Sequence, residues 1–314
     1  MKKVGYFLHK GIVIEFVVKG YIILDLEKKE KIYAQNKGKL KKIIYKCKDR
    51  NFFKNIEIKI GDIILYEKKG DVILIDSILP RKNFLLRPNI ANVDQVCLVF
   101  SLIKPYLQFK LLDKFLLILK RIDLKVILIF TKIDLISKEK LSILKKKIFY
   151  YKKFYYLYFI NSRDKKSILS FLYPFFQNKL TIFTGQTGVG KSTLISSLIN
   201  VNIATQEVSS FSNRGKHTTK NSKLYIIDKG YIADTPGFSK LFLLDIKPNE
   251  IKNFYDDFLL LADMCFFGSN CLHIREKFCK VKEAYQKGLI LDTRYKNYLS
   301  LFQEISKKKI KKIS

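Results

Sequence analysis

The stretch LTIFTGQTGVGKSTLISSLIN, residues 180–200, decides the fold. Leu180–Thr184 reads as a short buried strand, and STLISSLIN has helical spacing. Between them GQTGVGKS (185–192) matches G-x-x-x-x-G-K-[ST], with the strand before and the helix after that this phosphate-binding motif requires. Gly185, Gly188 and Gly190 let the backbone curl, so that the N–H groups around Gln186, Thr187 and Val189 can face phosphate oxygens. The helix N-terminus, with Ser192 and Thr193 in its first turn, adds a favourable partial charge. Lys191 is placed to reach the β- and γ-phosphates, and the Ser192 hydroxyl to ligate Mg²⁺.

Downstream, YIADTPGFS (231–239) ends a strand at Asp234, where a carboxylate can hold the Mg²⁺ shell. Gly237 supplies an N–H for the γ-phosphate. The polar segment SSFSNRGKHTTK (209–220) lies between, and either Thr218 or Thr219 can provide the hydroxyl that closes on Mg²⁺. Upstream, LIFTKIDLIS (128–137) carries Thr131-Lys132-Ile133-Asp134 at the end of an apolar strand, in the manner of a guanine-reading N-K-x-D loop. Asp134 can accept from guanine N1–H and N2–H₂, donors that adenine lacks, and Lys132 would lie over the base. Thr131 keeps a hydroxyl where the motif has an Asn amide. Ser162, after the next strand, is a candidate backbone donor to guanine O6. The order is base reader, phosphate loop, threonine loop, D-x-x-G, so the sequence predicts a circularly permuted GTPase core. In that order the D-x-x-G segment leads directly into the C-terminal region, and a γ-phosphate-sensitive segment pulls directly on another domain.

Three regions are expected. Residues 1–85 read as about five short strands, punctuated by Gly20, Gly61-Asp62 and the hairpin-like Lys69-Gly70-Asp71. That pattern suits a small β-barrel, and an oligonucleotide-binding (OB-fold) barrel fits its basic character. Residues 86–245 alternate strands (QVCLVFS, KVILIF, FYYLYFI, LTIFT) with helices near 111–121, from about 138, and near 167–176, the signature of a parallel sheet with both faces covered. Ligands then bind at the carboxyl ends of the strands, where both loops fall. Residues 246–314 read as helical, with a basic tail, ISKKKIKKIS.

Within that last region Cys265, Cys271, His273 and Cys279 fall close together in a chain of 5 Cys and 3 His. Three thiolates and an imidazole suit a closed tetrahedral structural zinc site, one Zn²⁺ per chain. Cys47 and Cys97 sit in apolar strand contexts and read as core residues.

The 314-residue chain has 60 Lys+Arg against 28 Asp+Glu, a net charge of +32. AT-biased coding accounts for part of the lysine excess, yet such a charge attracts polyanions whatever its origin, nucleic acid first and an anionic membrane surface second. No stretch reaches the 18 apolar residues of a membrane span, and the start lacks a signal-peptide pattern. With few cysteines, reduced thiols and a cytoplasmic location are expected.

In combination, RPNIANVDQVCLVFS, TKIDL, GQTGVGKSTLI, GKHTT, DTPGF, CLHIREKFCKVKEA and GLILDTRYKNYLSLFQEI resemble the circularly permuted GTPases of the RsgA (YjeQ/YloQ) family, over nearly the whole chain. The resemblance implies an N-terminal OB-fold, a permuted GTPase core and a C-terminal zinc domain. It also implies GTP/GDP as ligand, the 30S subunit and 16S rRNA as partners in late small-subunit maturation, and a monomer. It points to His217, in the family's G-[RK]-H-T-T element, as the catalytic residue, since Phe238 stands where many GTPases carry a water-orienting Gln. The cysteine spacing departs by one residue between Cys265 and Cys271, and REKFC lacks the expected Pro-containing turn. A GTP-dependent RNA clamp with little hydrolysis, and a permuted GTPase of the large subunit, are the competing readings. The barrel and the zinc cluster count against the large-subunit reading.

Overall fold

The computed structural model describes residues 8–37, 57–85, 88–205, 223–227, 230–234 and 246–310. His217, Thr218, Thr219, Gly237 and Cys47 lie outside the described residues. The chain divides into two compact units, one of Met1–Val96, Ser162–Thr184 and Lys191–Phe238, the other of Cys97–Asn161, Gly185–Gly190 and Ser239–Ser314.

In the first unit β1 (His9–Val17), β2 (Gly20–Asp25), β3 (Lys31–Asn36), β4 (Ile63–Lys69) and β5 (Val72–Ile78) close a barrel in the order β1-β2-β3-β5-β4. Only β3 and β5 pair in parallel. That closure and order are those of an OB-fold. Alternation along the strands sends Val13, Ile23, Ala34, Ile64, Tyr66, Ile75 and Ile78 into one core. The turn between β4 and β5 is Gly70-Asp71, with Gly70 at φ 59°. A pair of two-residue strands, β6 (Phe84–Leu85) and β7 (Ile90–Ala91), comes after the barrel. Gly61 takes φ +83°, and a Cβ there would meet the Ala91 carbonyl at 2.4 Å, so the chain passes only because this residue is glycine.

Beyond β7, strand β8 (Gln95–Ser101) is buried at every residue, helix α1 spans Phe109–Arg121, and β9 (Lys125–Thr131) is buried beyond its first residue. Helix α2 (Lys138–Ile148) starts at Ser137, whose hydroxyl accepts from Lys140 N. It is followed by β10 (Tyr156–Ile160), parallel to β9, and α3 (Lys165–Phe171). The helix expected near 167–176 is shorter than its apolar pattern, because Pro174 cannot continue it and Tyr173–Phe175 forms a separate 3-10 turn. Then come β11 (Leu180–Thr184), α4 (Lys191–Thr205), β12 (Lys223–Ile227) and β13 (Gly230–Asp234). Strand β13 pairs in parallel with β11 and antiparallel with β12.

The C-terminal helices α5 (Asp256–Ala262), α6 (Lys280–Gln286) and α7 (Asp292–Ile310) share a core with α1: Leu117 and Ile118 pack with Ile251, Tyr255, Phe258, Val281, Tyr298 and Leu301. Arg294 on α7 is fully buried there. Its guanidinium donates to Asp113 on α1 at 2.5 Å and reaches Asp257 on α5 at 3.3 Å. Asp113 also accepts from Tyr151 Oη (2.8 Å) and Asn297 Nδ2 (2.6 Å). Two carboxylates and one guanidinium are tolerable in this interior because nearly every lone pair meets a donor.

Candidate functional site

The two loops read as phosphate binder and base reader meet inside the second unit, although 50-odd residues of chain separate them. Gly185 has φ +145°, and a Cβ on it would stand 2.0 Å from the Val99 carbonyl of β8. No side chain fits, so the loop can leave the strand only here as glycine. Gly188 and Gly190 come next at φ 78° and 93°. Thr131, at the end of β9, is fully buried, and its Oγ1 donates to the Val189 carbonyl at 2.5 Å, with the Phe100 carbonyl at 3.2 Å. Lys132 takes a left-handed φ of 59° and sends its Nζ to the Gly188 carbonyl at 2.7 Å and to the Lys104 carbonyl. A lysine in that backbone region costs of order 1 kcal/mol, offset here by two charge-assisted bonds.

These contacts leave Asp134 in the short 3-10 turn Ile133–Leu135 with its carboxylate exposed. The Thr131 hydroxyl is thus turned to the carbonyls of the phosphate loop and of β8. Its hydroxyl fixes the phosphate loop, a role available to any side chain with a donor at that position. Ser162, two residues past β10, is buried, and its hydroxyl has no hydrogen-bond partner among the described residues. Its carbonyl accepts from Ser197 on α4 at 2.8 Å.

In the first unit α4 begins at Lys191, with Ser192 and Thr193 exposed in its first turn. The register of β13 on β11 sets Asp234 opposite Phe183, one residue before the end of the strand that enters the glycine loop. Asp234 therefore stands at the carboxyl edge of the sheet, as its sequence position predicted.

Cys265, Cys271, His273 and Cys279 are all buried, with their ligand atoms within 4.8 Å of one another. The Sγ atoms of Cys265 and Cys279 are 3.9 Å apart, and His273 Nδ1 lies 3.7 and 3.4 Å from them. Tetrahedral zinc at ordinary bond lengths requires about 3.8 Å between sulfurs and about 3.6 Å from nitrogen to sulfur. The donors fit. Burial, helped by Lys252, pulls His273 down to about 4, which leaves the imidazole neutral and able to ligate. Burial pushes the Cys279 thiol up to about 12 and raises Cys271, so a cation is needed to hold them as thiolates. Between Cys265 and Cys271 the chain makes the 3-10 turn Gly268–Asn270, with Gly268 at φ 47°.

Sequence reading missed Glu276. Its carboxylate accepts from the N–H groups of Leu272, Ile274 and Arg275 at 2.8–3.0 Å, tying the loop that presents His273. Desolvation acts to raise it, but these backbone donors hold it below the usual carboxylate range. An acid three residues after a ligand histidine was the available signal.

Comparison with known proteins agrees with this geometry. A family model described as RsgA GTPase matches residues 78–244. The chain belongs to the RsgA GTPase family. A second model, described as 50S ribosome-binding GTPase, matches residues 181–308. That match starts just ahead of the phosphate loop and leaves Thr131–Asp134 outside, as a permuted order requires. The small ribosomal subunit biogenesis GTPase RsgA of Phytoplasma mali is 52% identical, over 96% of this chain and 98% of its own. That of Carboxydothermus hydrogenoformans is 39% identical, over 84% and 92%. The crystal structure of YjeQ from Thermotoga maritima superposes with a TM-score of 0.78 at 30% identity, covering 95% of this chain and 99% of its own. YloQ, described as a circularly permuted GTPase, gives 0.76 at 30%, covering 98% and 99%. The RsgA fold expected from the sequence is the fold observed: five-stranded barrel, permuted GTPase core and C-terminal Cys/His cluster. Among the described residues no helix is long and apolar enough to cross a membrane.

Proposed function

We propose that this chain is a GTP hydrolase that binds the small ribosomal subunit and its rRNA during late maturation, with slow intrinsic turnover accelerated by the subunit. The observation that carries the GTP site is the pair of side chains, Thr131 and Lys132, that fasten the base-reading loop to the Val189 and Gly188 carbonyls of the phosphate loop. The subunit as partner rests on the names of the relatives and on the chain's excess of 60 basic over 28 acidic residues.

On this reading Asp134 takes the guanine edge, the Lys132 stem covers the base, and the Ser162 backbone meets O6. Residues 185–193 cradle the phosphates. Ser192, Asp234 and one of Thr218 or Thr219 would hold Mg²⁺, which when bound neutralises charge building on the β- and γ-phosphates. The four Cys/His ligands would hold one structural zinc. Phe238 can neither donate nor accept, and His217, beside Thr218 and Thr219, is the proposed group to position the attacking water. Loss of the γ-phosphate would release Gly237, and that segment runs straight into the C-terminal helices. Residues 1–85, 86–245 and 246–314 are the corresponding functional domains.

Steady-state GTP turnover with and without purified small subunits tests this. We expect slow turnover alone and a rise of at least tenfold on the subunit, most of it lost in His217→Ala with GTP binding kept. Turnover that stays near zero on the subunit would instead favour a GTP-dependent RNA clamp, the reading that Phe238 supports.

A further inference from the structure

Three phenylalanines stand outside the metal loop where burial would ordinarily place such rings. Phe266 is 74% exposed, Phe278 72% and Phe267 48%. They are nonetheless grouped: Phe266 meets Phe267 edge-on with centroids 5.1 Å apart, and Phe278 at 6.1 Å. The Phe266 N–H also donates to the Phe278 carbonyl. Their chain neighbours, Cys265 and Cys279, are buried in the ligand cluster, so the rings sit on a base the metal loop fixes. Phe278 has φ 54°, a left-handed conformation that favours glycine and penalises a bulky side chain. A ring held in an unfavourable backbone state and left in solvent does nothing for the core. Exposed cations flank it in the chain: Arg275 and Lys277 precede Phe278, and Lys280 comes after the last ligand.

We propose that Phe266, Phe267 and Phe278 form a stacking pad for unpaired RNA bases, with Arg275 and Lys277 taking the adjoining phosphates. Bases present an apolar face with charge along one edge, and flanked rings of this kind match both parts. A protein partner would want the charges moved to the rim of its apolar surface, whereas the exposed Arg275 and Lys277 lie within three residues of Phe278. The inference rests on the ribosome reading above and narrows it to single-stranded elements contacted by the metal loop.

The test uses the full-length, zinc-loaded protein and a ten-nucleotide unpaired RNA carrying 2-aminopurine, with a hairpin duplex of similar length as competitor. Stacking should quench the probe, and the unpaired strand should be preferred over the duplex. Phe266→Ser with Phe278→Gly should weaken binding about 10- to 100-fold, the range for losing one or two base–aromatic stacks. Phe278→Gly alone suits the left-handed φ, so its zinc content and melting temperature should hold while RNA affinity falls; a purely structural ring would give the opposite pattern. Variants that quench and bind like the unaltered protein overturn the proposal. So does concentration-dependent self-association that both variants abolish, which would assign the pad to a second copy of the chain. If the unaltered protein quenches the oligonucleotide but does not bind small subunits, the ribosome reading fails and the pad stands. If it binds subunits and the variants bind equally without quenching, the pad fails alone.

Discussion

At the scale of single residues, the proposed GTP site concentrates base choice on Asp134. Lys132 commits two of its three Nζ donors to the Gly188 and Lys104 carbonyls, and Thr131 directs its one hydroxyl proton to the carbonyls of Val189 and Phe100, so both side chains serve mainly to hold the loop. Asp134 is exposed in the turn that these two residues fix. Its carboxylate can take both donors of the guanine edge at once, and losing it leaves those donors unpaired in the bound state. Asp134→Ala should weaken GTP by about 2–4 kcal/mol, the scale of a charge-assisted bidentate contact. Asp134→Asn should shift preference toward xanthine nucleotides, whose edge offers an acceptor where guanine has the amino group. Equilibrium titration with ATP as competitor checks the assignment: ATP competing on level terms with GTP in the unaltered protein would contradict it.

At the scale of elements, the joint between α1, α5 and α7 hangs on Arg294. Its guanidinium serves Asp113 and Asp257, neither of which has access to water. Arg294→Met keeps the volume and strands two buried carboxylates, a change expected to destabilise by about 3–5 kcal/mol. Adding Asp113→Leu and Asp257→Leu removes the stranded charge, and the triple variant should regain most of that loss. Urea midpoints of the zinc-loaded chain, read by helical circular dichroism, decide it; a triple variant as unstable as Arg294→Met would show that the bonds, and not the stranded charge, carry the cost. This joint was illegible in the sequence. Asp113 and Arg294 are 181 residues apart, and each reads alone as a charge on the wet face of a helix. The strands were legible for the opposite reason. Segments such as QVCLVFS and LTIFT are apolar throughout because both faces of a parallel sheet are covered, and a local pattern reports that directly. The motifs that mark the site are local too. The side-chain bonds that join them depend on the tertiary path, which is why the sequence left open what the Thr131 hydroxyl touches, and the structure turns it to the Val189 carbonyl.

At the scale of the whole molecule, the net charge of +32 either reflects coding bias alone or is the medium of recognition. The two differ in how binding responds to salt. Lysines that neutralise phosphates release counterions from RNA, and the logarithm of affinity then falls linearly with the logarithm of salt, with a slope of roughly 0.7–0.9 per phosphate contact. Lysines that are merely solvated leave that slope unchanged when they are removed. The end of α7 offers a clean place to ask. Lys307, Lys308 and Lys309 occupy its last turn, and Lys307 is exposed. Basic residues in general suit a helix C-terminus electrostatically whether or not RNA is present, so a lysine-rich end is by itself no sign of RNA contact. If the tail contacts rRNA, affinity for small subunits should fall by on the order of 10³-fold between 50 and 200 mM salt, as for proteins with about six phosphate contacts. Replacing the three lysines by Gln should then lower the slope by about one for each phosphate no longer neutralised. GTP binding to the free protein, proposed above for the glycine loop of residues 185–190, should be untouched by those replacements. A slope unchanged by the triple replacement, alongside steep salt dependence of the unaltered protein, would move the phosphate contacts off the tail and onto the barrel and metal loop.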